Sequence, residues 1–155
     1  MIPSSYNFFK LHFILLLLFL VNSPCCLADQ SLADKSSAIE IAVNSSVPDK
    51  LYSLTDARAI FAMRKIRWPD GTRIQVFVLP DNDPLHRQFT KSRLNMFPHQ
   101  FRRIWDKLIF SGTGQAPNPV ESMKEMLEKI STTPGAIGYL NKHPNNKNIR
   151  SFNYE

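Results

Sequence analysis

One segment in the middle of the chain restricts the possible folds more than any other. Residues 73–79 read RIQVFVL, and the last four of these positions are all apolar. A strand that is apolar on both faces must be covered on both sides, as it is when helices pack on the two faces of a sheet. Residues 73–79 therefore predict a central strand of an α/β fold.

Strand and helix patterns alternate around this segment. Residues 39–43 alternate in polarity like a strand, and residues 136–140 form a short last strand. Four helices are predicted among the strands, each with apolar residues at helical spacing. Strands interleaved with helices predict an α/β fold class, built on a small, largely parallel sheet flanked by helices.

Each predicted helix begins at a recognisable signal. The first signal is a capping box, and two others place a proline directly behind a capping residue. The four starts are Ser53 with Asp56, Asp83 with Pro84, Pro98, and Asn118 with Pro119. Such signals indicate where a helix begins because they satisfy or remove its first unpaired amide groups.

The first 28 residues, 1–28, are predicted to be a signal peptide. Lys10 precedes the apolar run of residues 13–21, and Cys26 and Ala28 occupy the two positions that a signal peptidase reads. The run is too short for a membrane anchor. Cleavage after Ala28 would remove both cysteines, so packing and not a disulfide is expected to stabilise the periplasmic or secreted protein. Lipidation of the first cysteine is the alternative; it requires a small residue directly before that cysteine, where this chain has a proline.

The remaining length suits one compact domain. Residues 29–37 are polar and are expected to form a flexible lead-in. Residues 38–141 carry all the predicted strands and helices and make up the domain. Residues 142–155 include an Asn-Asn-Lys-Asn run and are expected to form a mobile polar tail.

The chain is basic, with 19 Lys and Arg residues against 13 Asp and Glu residues and a formal net charge of +6. In an exported protein this charge indicates an anionic solute, an anionic envelope surface or an acidic partner, and no nucleic-acid partner is expected. Two groups of basic side chains are candidates for anion contacts. The first consists of Arg64, Lys65, Arg67 and Arg73, and the second of Arg102, Arg103 and Lys107. The first is the better candidate because it lies beside a turn and not along a helix; the alternative for both is a solvated surface.

The sequence offers few candidates for catalytic or metal-binding residues. Asp81, Asp83 and His86 fall close together in the sequence, but no second cluster of metal ligands accompanies them. A capped, solvated turn is the favoured interpretation. No glycine-framed nucleophile accompanies a histidine and an acid. The sequence therefore predicts a protein that is not an enzyme and has no metal or cofactor.

Three segments of the chain form a recognisable combination. They are LTDARAIFAMRKIRWPDG at residues 54–71, Phe89-Thr90 in the helix after the central strand, and PGAIGYL at residues 134–140. Together they resemble the phosphate-type solute-binding proteins of ABC transporters, which have the type II periplasmic-binding-protein fold. The resemblance implies one lobe of that fold, a periplasmic location, a small anionic solute and an ABC permease as partner.

The same resemblance assigns family positions to residues of this chain. The family's Ser-Gly-Thr falls on Asp83, Pro84 and Leu85, its arginine on Leu79, and its aspartate on Asp81. Asp81, Asp83 and Leu85 are thus the family-equivalent candidates for ligand binding. The resemblance also implies that the phosphate site is degraded. Leu79 cannot pair with an anion, Pro84 has no amide donor, and Asp83 brings a negative charge.

The sequence SGTG at residues 111–114 resembles a phosphate-binding loop. No helix start follows it closely, and it lacks the lysine of a nucleotide-binding loop. We expect Gly112 to end the preceding helix, because glycine is the common residue just past a helix end.

Two functions of different classes fit these features. The first is a binding module for a small anionic solute. The second is an interaction module without a ligand of its own, which docks on an envelope protein, a transporter or a sensor. A single lobe offers only half of a ligand cleft, so a homodimer or a partner could complete it.

Overall fold

The computed structural model describes residues 39–142 and 144–155. The predicted signal peptide, residues 1–28, and the predicted lead-in, residues 29–37, lie outside the described residues. Within the described part, the strands are β1 Glu40–Asn44, β2 Gln75–Val78, β3 Asn118–Pro119, β4 Ala136–Leu140 and β5 Ile149–Ser151. The helices are α1 Leu54–Phe61, α2 Pro84–Leu94, α3 Pro98–Phe110 and α4 Met123–Thr132. No helix in these ranges is both long and apolar enough to cross a membrane.

The strands form one sheet in the order β3-β2-β4-β1-β5. Strand β2 pairs in parallel with β3 and β4, whereas β1 pairs antiparallel with β4 and β5. The predicted α/β class, a sheet flanked by helices, is confirmed. The sheet is mixed and not largely parallel as predicted, because β1 runs opposite to its two neighbours. Alternation of strands and helices along the sequence does not reveal strand direction.

The central strand β2 is buried on both faces, as its composition predicts. Residues 76–79 are each at most 7% exposed. On one face, α4 packs against the sheet, and a methyl group added at Gly138 would lie 2.6 Å from the sulfur of Met126. On the other face, the ring of Tyr139 stacks on that of Phe89 with centroids 3.9 Å apart. Helices on the two faces thus supply the cover that an apolar strand requires.

The starts of α1, α2 and α3 lie where the sequence predicts them. The Ser53 hydroxyl accepts the Asp56 amide at 3.0 Å, while the Asp56 carboxylate accepts the Ser53 amide at 3.1 Å. Asp83 caps α2, and Pro98 is the first residue of α3. Gly112 follows the end of α3 with φ +66°, so SGTG is a helix end, as predicted.

The predicted start of the fourth helix is wrong. Asn118 and Pro119 form β3 at the edge of the sheet, and Ser122 caps α4 by accepting the Glu125 amide at 3.2 Å. The amide of Val120, a buried residue, donates to the Val78 carbonyl at 2.9 Å. Burial of Val120 therefore holds this segment on the sheet, and an edge strand tolerates a proline.

The predicted mobile tail, residues 142–155, is also wrong, because the sheet extends into it. Strand β5 pairs with β1, and Phe152 is 5% exposed and stacks on Tyr52 with ring centroids 4.5 Å apart. The Leu54 amide donates to the carbonyl of Glu155, the last residue. The tail is polar in composition, but it carries apolar residues at the positions that face the core.

Candidate functional site

The family-equivalent positions lie at the carboxyl end of β2, where the chain enters α2. Oδ1 of Asp83 accepts the amide of Leu85 at 2.7 Å and the amide of His86 at 3.3 Å. The first amides of a helix carry a partial positive charge and attract anions. Here the chain's own carboxylate occupies that position.

Leu79, which the sequence resemblance placed at the position of a family arginine, belongs to the core. Its side chain is 2% exposed, and its amide donates to the hydroxyl of Tyr139 at 2.9 Å. The hydroxyl of Tyr139 lies in turn 2.7 Å from Nδ1 of His86. In the tautomer in which the Tyr139 hydroxyl donates to Nδ1 while it accepts the Leu79 amide, the histidine proton lies on Nε2.

The expectation that His86 lies in a solvated turn is wrong, because its side chain is 1% exposed. Burial lowers the pKa of His86 and raises the pKa of the Tyr139 hydroxyl. Nε2 of His86 is buried and makes no hydrogen bond within the described residues. The sequence carries a signal for this burial, since His86, Phe89 and Thr90 share one helical face.

Asp81 faces α3. Its carboxylate accepts two hydrogen bonds from the guanidinium of Arg102, at 2.8 and 2.9 Å, and its Oδ1 lies 3.9 Å from Nε2 of His86. The bidentate geometry is the one in which a guanidinium holds a carboxylate best. Sequence patterns did not indicate this pair, because 21 positions separate the two residues.

Three members of the first basic group interact within the chain. Lys65 forms an ion pair with Asp56 at 2.6 Å, and that contact lowers the pKa of Asp56 to about 2. Arg67 donates to the carbonyl of Gly71 at 2.8 Å, and Arg73 donates to the side chain of Gln115 at 2.8 Å. The fourth member, Arg64, is exposed. The three contacts have three different partners within the chain. Among the described residues, no three His, Cys, Asp or Glu side chains are placed to hold a metal ion.

A groove of about 850 Å³ lies between α2 and α3. Its walls carry one acidic, three basic and two aromatic side chains: Asp81, Arg87, Lys91, Phe97, His99 and Arg102. Sequence patterns did not indicate this groove, because it exists only when two helices that follow one another in the chain pack together.

Two solved structures show that the described fold is similar to a periplasmic-binding-protein lobe. No family model and no curated protein sequence matches the chain. Solved structures do match it. An ABC-type phosphate transport receptor from Vibrio cholerae matches with a TM-score of 0.54 and 12% identity, over 75% of this chain and 45% of the receptor. PstS from Borrelia burgdorferi matches with a TM-score of 0.50 and 16% identity, over 66% of this chain and 39% of PstS.

The chain spans less than half the length of either receptor. At these identities the likeness concerns the fold alone. The resemblance inferred from the sequence is thus confirmed at the level of the fold.

Proposed function

We propose that this chain is an exported interaction module with a periplasmic-binding-protein-like fold, in which phosphate does not bind at the family position. The observation that carries the proposal is the capping of α2 by Asp83, whose Oδ1 accepts the amides of Leu85 and His86. A phosphate at that point would have to displace a carboxylate that is covalently part of the chain. It would also meet that negative charge at close range.

The neighbouring positions support the same conclusion. Leu79 brings an apolar, buried side chain where the family has an arginine, and Pro84 has no amide proton to donate. The guanidinium of Arg102 is already held by Asp81. The Leu85 and His86 amides and the Arg102 guanidinium therefore already have partners within the chain, and Pro84 has no amide proton.

Export, partners and the lack of enzymatic activity belong to the proposal. Residues 1–28 support export, and the fold supports a binding protein and not an enzyme. A lobe without its own solute fits a role in docking on an ABC permease or another envelope protein. Two copies could also pair to complete a cleft.

A small anionic solute is the second candidate, and the basic groove between α2 and α3 favours it. Such a solute would bind away from the family position. The two candidates differ in where an anion makes contact, so the choice between them is open to direct measurement.

Calorimetric titration of the purified protein with inorganic phosphate at physiological ionic strength tests the proposal. We expect no binding tighter than about 1 mM, which corresponds to about −4 kcal/mol. Asp83→Asn is the matched variant, since asparagine still caps a helix but carries no charge. Measurable phosphate binding in Asp83→Asn alone would support the proposal, whereas micromolar binding by the unmodified protein would refute it. Cross-linking in the envelope fraction would then identify the docking partner.

A further inference from the structure

We infer that the groove between α2 and α3 binds a ligand that carries several carboxylates, with Asp81 as a built-in competitor for Arg102. This inference goes beyond the proposed function. It deepens the second candidate function, the anionic solute, on which it rests, and it holds whether or not phosphate binds beside Asp83. The ligand chemistry is that of a free polycarboxylic acid or of an acidic stretch of a polypeptide.

The charges of the groove are unbalanced. Arg87 and Lys91 lie one turn apart on α2, and among the described residues neither forms an ion pair with a carboxylate. Like charges at this spacing repel each other, so an anion placed between them relieves the repulsion. Arg102 on α3 provides a third cation on the facing wall. A ligand must therefore present more than one negative group to contact both walls.

The groove already shows how it holds a carboxylate. The carboxylate of Asp81 sits on Arg102 with two hydrogen bonds, at 2.8 and 2.9 Å. A ligand carboxylate can adopt the same bidentate arrangement if Asp81 moves away. Arg102 is 47% exposed in its side chain, so the ligand can reach it from solvent.

Asp81 has a second partner within reach. Its Oδ1 lies 3.9 Å from Nε2 of His86, which is buried and makes no hydrogen bond within the described residues. In the tautomer with the proton on Nε2, this nitrogen is a donor that Asp81 can accept. A shift of about 1 Å would bring that oxygen to hydrogen-bonding distance. The other polar groups around His86 are Asp83 at the start of α2 and the hydroxyl of Tyr139 on β4. A buried donor without a partner is costly. A hydrogen bond from His86 to Asp81 would therefore offset the two hydrogen bonds that Asp81 loses when it leaves Arg102.

An aromatic surface adds contact area beside these charges. The ring of Phe97 is half exposed, His99 stacks on it with centroids 5.6 Å apart, and the Lys91 ammonium lies 5.3 Å from its centroid. An exposed aromatic ring in a basic groove can pack against the carbon skeleton of an organic anion. Inorganic phosphate offers no such surface.

The test uses calorimetry on the purified protein at physiological ionic strength, with citrate and a hexaglutamate peptide as probes and inorganic phosphate as reference. We expect at least one of the two probes to bind at least tenfold more tightly than phosphate. Binding of citrate alone indicates a free acid as the natural ligand, and binding of the peptide alone indicates an acidic segment. Failure of both probes to bind overturns the inference, and it leaves the proposed function intact because that proposal concerns Asp83.

Variants locate the site. Replacing both Arg87 and Lys91 by glutamine is expected to weaken probe binding at least tenfold. The matched control is Arg103→Gln, which removes an exposed arginine of α3 that does not line the groove. Equal binding by the double variant and the unmodified protein would overturn the site, and so would equal losses in the double variant and the control.

The competitor role of Asp81 has its own readout. Asp81→Asn is expected to tighten probe binding by up to about fivefold, because the exposed pair with Arg102 no longer has to be broken. In the unmodified protein, the nuclear magnetic resonance signal of the His86 Nε2 proton should move on probe binding, as it gains an acceptor. Weaker binding by Asp81→Asn, or an unmoved His86 signal, would refute the exchange of partners.

Discussion

The hydroxyl of Tyr139 on β4 lies 2.7 Å from Nδ1 of His86 on α2, and both side chains are buried. The same hydroxyl accepts the amide of Leu79 where β2 ends. One phenol therefore joins two neighbouring strands to the helix that follows them. This polar contact within an apolar core links α2 to the sheet close to Asp81 and Asp83.

Removing that hydroxyl should destabilise the protein. Tyr139→Phe keeps the ring against Phe89 but leaves the Leu79 amide and Nδ1 of His86 without a partner. We expect a loss of about 1–3 kcal/mol in the free energy of unfolding, measured by urea denaturation. Tyr154→Phe is the matched control, because Tyr154 is only partly buried. Equal midpoints for the two variants would contradict the structural role of the Tyr139 hydroxyl.

The buried histidine should make stability depend on pH. Burial lowers the pKa of His86, so the unfolded chain binds more protons at this residue than the folded protein does. The contribution of neutral His86 to the free energy of unfolding is therefore fully present above the unfolded pKa of about 6.5. It falls as the pH decreases below that value, by at most about 1.4 kcal/mol per pH unit. Urea denaturation at a series of pH values measures this slope.

His86→Gln should reduce that slope, whereas His99→Gln, which changes an exposed histidine, should retain it. A slope that survives in His86→Gln would assign the pH dependence to another group.

The cap of α2 makes a separate contribution to stability. Asp83→Ala removes the acceptor of the Leu85 and His86 amides and should lower the free energy of unfolding by about 0.5–2 kcal/mol. Asp83→Asn should retain most of this energy, because its side-chain oxygen can accept the same amides. Thermal denaturation of the three proteins provides the comparison. An unchanged midpoint in Asp83→Ala would show that the cap is dispensable.

The end of the chain should prove essential to the fold. Phe152→Ala removes a ring that is 5% exposed and packed on Tyr52, and it should cost about 3–5 kcal/mol. Asn153→Ala changes an exposed neighbour and should have little effect. Chemical denaturation of both variants distinguishes a core strand from a dispensable tail. Similar free energies of unfolding for the two variants would show that the tail is dispensable.

Signals confined to a few neighbouring residues were enough to predict much of the fold. The capping box of Ser53 and Asp56, the Asp83-Pro84 start and the apolar central strand all appear in the structure where the sequence places them. These features depend on hydrogen bonds and steric limits within one turn of chain. Their physical causes are therefore present in the local sequence.

Tertiary structure decided the features that depend on distant partners. Asn118 and Pro119 resemble a helix start, yet they form an edge strand because β2 offers an unpaired edge and Val120 is buried beside it. The tail became a strand for a related reason, since β1 had a free edge and the core had room for Phe152.

The candidate site divides in the same way. The sequence itself determined that Asp83 would cap α2 and that Pro84 could not donate, because both properties are local. Only the packing of α2 against β4 and α3 brought His86 to Tyr139 and Arg102 to Asp81, across separations of 53 and 21 positions. A polar side chain in a helix pattern does not reveal which distant group will cover or pair with it. That choice is made when the faces of the helices and the sheet are buried together.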